Sequence, residues 1–410
     1  MNEMIQTFLA ILKAALNREK PQLKENISPQ QWEELFRLAA IHNVLPLVYE
    51  AVYTLPELAG EQSLIAALRS RIRRQVMAQA MRTGEFLELN DKLQQAGFKP
   101  LVVKGLVCRQ LYRQPDYRPS SDEDVLIPAE DFEGCHQVLS AFGMETDTAP
   151  DAYEIPYRKA GSPLYIELHK HLFPPESDAY GDLNRFFQGV HQRAITMDIR
   201  GHRVYTMGRT DHLFYLICHA FKHFLHSGFG IRQVCDILLY ANAYGREVDW
   251  TQVLENCKAI RGEKFAAAIF AMGTHYLGFD PAGAAYPENW QAMEVDELPM
   301  LVDLLSGGLY GDSSMSRKHS SNITLEAVAA QKQGKRARGA IVTSLFPPRK
   351  QLEARYAYLK KHPCLLPVAW CSRLWSYGKQ SRNAADNNAT DALKIGTARV
   401  ALLRSYGILD

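Results

Sequence analysis

The stretch Arg118–Pro128, RPSSDEDVLIP, sets Asp122, Glu123 and Asp124 directly before an apolar run. In an extended strand alternate side chains share a face, so Asp122 and Asp124 would point one way and Glu123 the other. The two aspartate Cα atoms would then be roughly 6.5–7 Å apart. Two carboxylates at that spacing can close on a divalent cation; without one, their repulsion pushes a proton onto one of them. Mg²⁺ prefers such hard oxygen ligands, and a pair of ions about 3.5–4 Å apart can clamp a phosphoryl centre. A third carboxylate is available in YIELHKH, where Glu167 stands between Ile166 and Leu168. If that run is a core strand, the acid must face solvent or a site. The run PLVVKG ends in Lys104 and Gly105. The ammonium can neutralise phosphate charge, and the glycine lets the backbone come close to a ligand. Glu123, turned toward the core side, is costly to bury unless it pairs with a base or the strand end is open.

Further along, HAFKHFLH places His219, His223 and His226 near one helical face. Histidines at i and i+4 can hold zinc, but no third acid ligand lies nearby in sequence. His219 and His223 read either as core or hydrogen-bonding histidines or as facing a nucleotide or acceptor. Arg232 and Asp236 are one helical turn apart; they can pair with each other, or Arg232 can face the same cleft. The basic run QKQGKRARGA reads as a solvated charge run rather than a phosphate contact. Cys108 reads as a small buried residue.

These residues need elements to position them. The KPLVVKG run, the DEDVLIP run and PLYIELHKH read as short strands, and AITMDIRGHRVYTM as two strands joined at Arg200-Gly201-His202. Around them the period is helical. Ser28 caps a helix with Pro29 at its first position, a long helix runs from about Ser63 to Gln95 and stops at Gly97, and helices resume after Arg209. GGLYGDSSMSRKHSSN reads as a Gly/Ser-rich loop, and NAADNNAT as an exposed polar stretch. The expected organisation is an N-terminal helical region over 1–96, an α+β core over 97–207, and a C-terminal helical region over 208–410.

Taken together, the stretch LVVKGLVCRQLYRQPDYRPSSDEDVLIPAEDF resembles the bacterial family of uncharacterised nucleotidyltransferases, within the polymerase-β-like superfamily. The correspondence runs through Lys104-Gly105, Leu111-Tyr112, Arg118, Asp122, Asp124 and Val125-Leu126-Ile127. It continues through Ile166-Glu167-Leu168-His169 and the helical His219, His223 and Asp236. The resemblance implies a small mixed sheet carrying Asp122, Asp124 and Glu167 as catalytic and metal-binding carboxylates. Lys104, Gly105, Arg118, His169, His219, His223 and Arg232 would line the nucleotide. It further implies Mg²⁺, a nucleoside triphosphate as substrate, and transfer of a nucleotidyl group to an acceptor with release of pyrophosphate. Two positions depart from the pattern. Gly105 is followed by Leu106 where the superfamily has a Gly-Ser or Gly-Gly pair, and the residue between the aspartates is Glu123 rather than an apolar one.

Composition bounds the alternatives. In 410 residues, 47 Lys and Arg face 45 Asp and Glu, a net charge of +2. No global nucleic-acid or anionic-membrane partner is implied. Seven scattered cysteines without a CxxC pair suit reduced thiols in a cytoplasm rather than a disulfide framework. The opening MNEMIQTFLAILKAALNREK reads as an amphipathic helix, and no apolar run reaches membrane-spanning length. The reading is a nucleotidyltransferase whose acceptor, a small molecule, protein or RNA, is not written in the chain. Its rival is a degenerate version of the fold that senses a nucleotide without chemistry.

Overall fold

The structure is a computed structural model and describes residues 2–23, 27–58, 60–307, 315–334, 349–352, 356, 358–372 and 389–410. Most of the basic run, from 335 onward, and most of NAADNNAT lie outside the described residues. The chain forms two compact units, Met1–His219 with Ile231–Leu298, and Ala220–Gly230 with Pro299–Asp410. No helix among the described residues is long and apolar enough to cross a membrane.

The first unit opens with helices α1 (Glu3–Asn17), α2 (Pro29–Ile41), α3 (Leu45–Val52) and α4 (Gln62–Gln95). Ser28 and Gln31 close a capping box ahead of α2, with Pro29 at its start. Gly97, at φ +95°, follows α4. The chain then enters a six-stranded mixed sheet in the order β3-β4-β2-β1-β6-β5. Its strands are β1 (Leu101–Val103), β2 (Glu123–Leu126), β3 (Glu154–Arg158), β4 (Tyr165–His169), β5 (Ile195–Ile199) and β6 (His202–Thr206). Helices α5 (Gly105–Arg109) and α6 (Phe132–Ala141) fall between the strands. The fold is thus α+β, a mixed sheet flanked by helices.

Val102, Val125, Ile166 and Leu168 share a core with Phe86, Leu89 and Leu93 of α4 and with Cys135 and Leu139 of α6. Burial on that face fixes the strand register, since a one-residue slip would turn every one of these side chains outward. β5 and β6 are joined by Arg200 and Gly201, at φ +55° and +82°, a two-residue turn whose twist matches the flanking strands. β3 is a strand the sequence pattern does not announce. Pro156 sits at its centre, and proline is tolerated there because β3 is an edge strand. Helices α7 (Arg209–Leu225) and α8 (Ile231–Tyr244) follow the sheet, with α9 (Trp250–Ala259) and α10 (Glu263–Met272) after them.

In the second unit, the stretch read as a Gly/Ser-rich loop turns helical from Met315, in a helix reaching Lys332. Its hydroxyls do not compete with the helix there: Ser320 and Thr324 return hydrogen bonds to Arg317 and Ser321 carbonyls one turn back (2.7 and 2.9 Å). Arg317 and Arg399 converge on Asp303. Residues 308–314 of that stretch lie outside the described residues. Five cysteines are buried and two, Cys364 and Cys371, are exposed; all seven are free thiols.

Candidate functional site

The ends of β1, β2 and β4 carry the site. β1 and β2 pair antiparallel with Val103 opposite Asp124. β2 and β4 pair parallel with Asp124 opposite Glu167 and Leu126 opposite His169. Partners in register point to the same face, and residues two apart share it. Asp124, Glu167 and His169 therefore converge, on the face opposite the Val125–Ile166–Leu168 core. His169 Nε2 lies 3.1 Å from Asp124 Oδ1 and 3.8 Å from Glu167 Oε2. One ligand atom from each of the three falls within 4.8 Å of the others, the grouping of metal-ligand atoms found among the described residues. Asp122 is not in it. β2 starts at Glu123, so Asp122 immediately precedes it, close enough to act on Lys104 and Glu167 through its charge.

Lys104 enters from β1. Its backbone is at φ +45°, ψ −108°, a conformation that costs a non-glycine residue about 1–3 kcal/mol and needs support from its surroundings. The Lys104 amide donates to His212 Nε2 at 3.2 Å. His212 Nδ1 stands 3.3 Å from Thr206 Oγ1, which donates to the Val102 carbonyl at 2.7 Å. Burial and then Arg209 drive the His212 pKa down to about 3. The ring is therefore neutral, accepting at Nε2 and donating from Nδ1. This uncharged clamp delivers Lys104 Nζ to 2.8 Å from Asp124 Oδ1 and 3.3 Å from His219 Nε2. Gln233 Nε2 meets the other nitrogen of His219 at 3.1 Å.

The charges are out of balance in an informative way. Burial alone would raise the Asp124 pKa, but Lys104 and then His169 hold it well below the usual carboxylate range. Burial would lower Lys104, but Asp124 and then Asp122 outweigh it and keep the ammonium charged. Burial, and then the repulsion of Asp124 and Asp122, push Glu167 up to about 8. Asp124 Oδ2 is buried with no partner. A divalent ion would fit this set: it supplies the missing partner for Oδ2 and reverses the repulsion that protonates Glu167.

Glu123 resolves the question its position raised. It is fully buried and paired, Oε1 to Arg109 Nη2 at 2.6 Å and Oε2 to the Leu106 amide at 3.0 Å. Gly105 begins α5 beside it, and a Cβ there would stand 2.5 Å from Glu123 Oε2. The glycine makes room for this carboxylate. The loop leading to Asp122 is gripped from several sides. Arg82 bonds the Ser120 carbonyl, Arg109 bonds the Ser120 hydroxyl, Gln79 bonds the Ser120 amide, and Arg232 bonds the Pro119 carbonyl.

Arg118 is turned inward, bidentate on Asp236 at 2.9 and 2.6 Å, with the Tyr112 hydroxyl on the same carboxylate at 2.8 Å. Lys104 and His169 thus contact Asp124 directly, and His219 joins the cluster through Lys104. Arg118 and Arg232 support the Asp122 loop, and Asp122 acts on Lys104 and Glu167 through its charge. His223 falls in the second unit. The clamp residues His212 and Thr206, and Glu154 on β3, carried no sequence signal that singled them out.

A family model described as uncharacterised nucleotidyltransferase matches residues 28–278. No curated protein matches the chain. A crystal structure of an antigenic nucleotidyltransferase-like protein from Paracoccidioides brasiliensis is similar over 46% of this chain and 90% of that one, at 15% identity and a TM-score of 0.30.

Proposed function

The chain belongs to the uncharacterised nucleotidyltransferase family, and from that premise we propose that it transfers a nucleoside monophosphate from a nucleoside triphosphate to an acceptor, using a divalent ion. The observation that carries this reading is the meeting of Asp124, Glu167 and His169 within 4.8 Å, beside the Lys104 ammonium. Asp124, Glu167 and His169 would hold the ion, which supplies charge neutralisation for a phosphoryl centre. Lys104 gives the phosphates a positive partner that burial strengthens. Glu167, ionised once an ion offsets the charges of Asp124 and Asp122, is the carboxylate that would accept the acceptor hydroxyl's proton. His219 and Gln233 steer the Lys104 ammonium. Arg82, Arg109 and Arg232 keep the Asp122 loop rigid, so that positioning and preset charge supply most of the rate enhancement.

A second reading rests on Lys104 itself. Its ammonium already neutralises Asp124, as a nucleotide sensor without chemistry would require. One experiment separates the two. The protein is incubated with Mg²⁺ or Mn²⁺ and each α-labelled nucleoside triphosphate, and pyrophosphate release and transferred label are scored. Turnover that Asp124→Asn abolishes supports transfer. Nucleotide binding equal in wild type and Asp124→Asn, with no turnover in either, leaves the sensor.

A further inference from the structure

We infer that the site is a single-ion centre with an imidazole ligand, His169, in which Lys104 permanently occupies the place of a second cation. The inference deepens the proposed function and relies on it only for what the ion is used for.

Three observations carry it. First, His169 is set as a metal ligand is set. Its Nε2 faces Asp124 and Glu167, while its Nδ1 is buried without a hydrogen-bond partner and has Glu154 Oε2 as the nearest carboxylate, at 3.6 Å, where a small shift on metal binding would let it donate. β3 and β4 hold Glu154 and His169 directly opposite each other. A carboxylate behind a ligating histidine fixes the ring and raises its basicity. Second, Lys104 Nζ already lies 2.8 Å from Asp124 Oδ1, the distance of a charge-assisted bond. The side chain is held there by a strained backbone that the Thr206–His212 clamp supports. Asp124 Oδ2, the other oxygen, is the one left without a partner. One oxygen is thus spent on the lysine and one is open to an ion. Third, the charges close on one ion: Asp122, Asp124, Glu154 and Glu167 carry four negative charges, and Lys104, Arg232 and one divalent ion carry four positive ones. A second divalent ion would leave two positive charges in excess.

The donor set of one imidazole and two carboxylates moves preference from Mg²⁺, which favours all-oxygen shells, toward Mn²⁺. Mn²⁺ is therefore the probe, titrated into chelator-stripped full-length protein without nucleotide and followed by electron paramagnetic resonance. Wild type is expected to bind one Mn²⁺ per chain, with a nitrogen coupling in the pulsed spectrum that His169→Gln removes. Glu154→Gln should weaken binding about tenfold or more. Lys104→Met keeps the stem without the charge and should bind the ion at least tenfold more tightly. Circular dichroism checks that each variant is folded. Two ions in wild type, none at millimolar Mn²⁺, a spectrum without nitrogen coupling, or a Lys104→Met protein with unchanged affinity would overturn the inference. Because the ion is counted without nucleotide, an absence of transfer activity leaves this result standing, and a wrong count leaves the transfer assay untouched.

Discussion

Replacing Glu167 by Gln is expected to stabilise the metal-free protein, and to do so more as the pH rises. Folding lifts the Glu167 pKa from 4.5 to about 8, through burial and then the charges of Asp124 and Asp122. Between those two values the folded state holds a proton that the unfolded state has released, so stability falls with rising pH across that window and levels off above it. A rise of about 3.5, at about 1.36 kcal/mol each, amounts to about 4.8 kcal/mol once both states are ionised. At pH 6 only about 1.5 of the window has been crossed, or about 2 kcal/mol, so the cost grows by roughly 2.7 kcal/mol between pH 6 and pH 9. Glutamine has no proton to lose and should not show this loss. Its other effects, such as the desolvation of the amide, are the same at both pH values and cancel in the comparison. The assay is thermal unfolding of both proteins in chelator at pH 6 and pH 9. At about 2–4 °C per kcal/mol for a unit of this size, the variant's advantage should widen by about 5–10 °C. A gap that stays constant, or narrows toward pH 9, would refute the argument that uncompensated carboxylate repulsion shapes this site.

Asp236→Ala leaves the Arg118 guanidinium buried without its partner and should cost about 3–5 kcal/mol in urea unfolding. A loss below about 1 kcal/mol would mean that Arg118 finds another acceptor. Gly105→Ala drives a methyl toward Glu123 Oε2, 2.5 Å away, and should cost about 1–3 kcal/mol, read as a lower melting temperature. Asp124→Asn should reduce transfer by orders of magnitude and, because it leaves the buried Lys104 ammonium without its partner, also lower the melting temperature, whereas Asp122→Asn, outside the ligand grouping, should retain a larger share of the rate. Equal losses in the two variants, measured by pyrophosphate release, would show that the Asp122 loop closes on the ion.

Much of the sheet is legible because its strands are β-branched runs punctuated by glycine and proline. Leu101–Val103, the run after Asp122, and the pair around Arg200-Gly201 all announce themselves this way. β3 is hidden because Pro156 argues against a strand unless its edge position is already known, and Glu154 is hidden with it. Asp124 and Glu167 can be found as acids entering apolar runs. That they stand opposite one another depends on a parallel pairing between strands some forty residues apart, which no local pattern encodes. The expectation for Asp122 applied strand alternation one residue before the strand begins. The partner of Glu123 is Arg109, 14 residues earlier, and the partner of Arg118 is Asp236, 118 residues later. Both pairings become visible only when the helices are packed. His212 looks like any helical histidine until its burial and its bond to the Lys104 amide are seen.

Pro156 has one more effect. It lies opposite Glu167 in the β3–β4 ladder, yet it has no amide hydrogen to contribute, so its nitrogen must face away from β4, toward the open side of the sheet. An open edge is ordinarily a template onto which another chain can lay a strand, and from there aggregation can spread. Here the row of donors along that edge is broken at its midpoint. At the end of the same edge the Arg158 amide and carbonyl are already bonded to Glu145, so between that bridge and the proline ring a strand arriving from outside cannot zip along β3. The same residue that conceals β3 from a reader of the sequence also shields it from other chains.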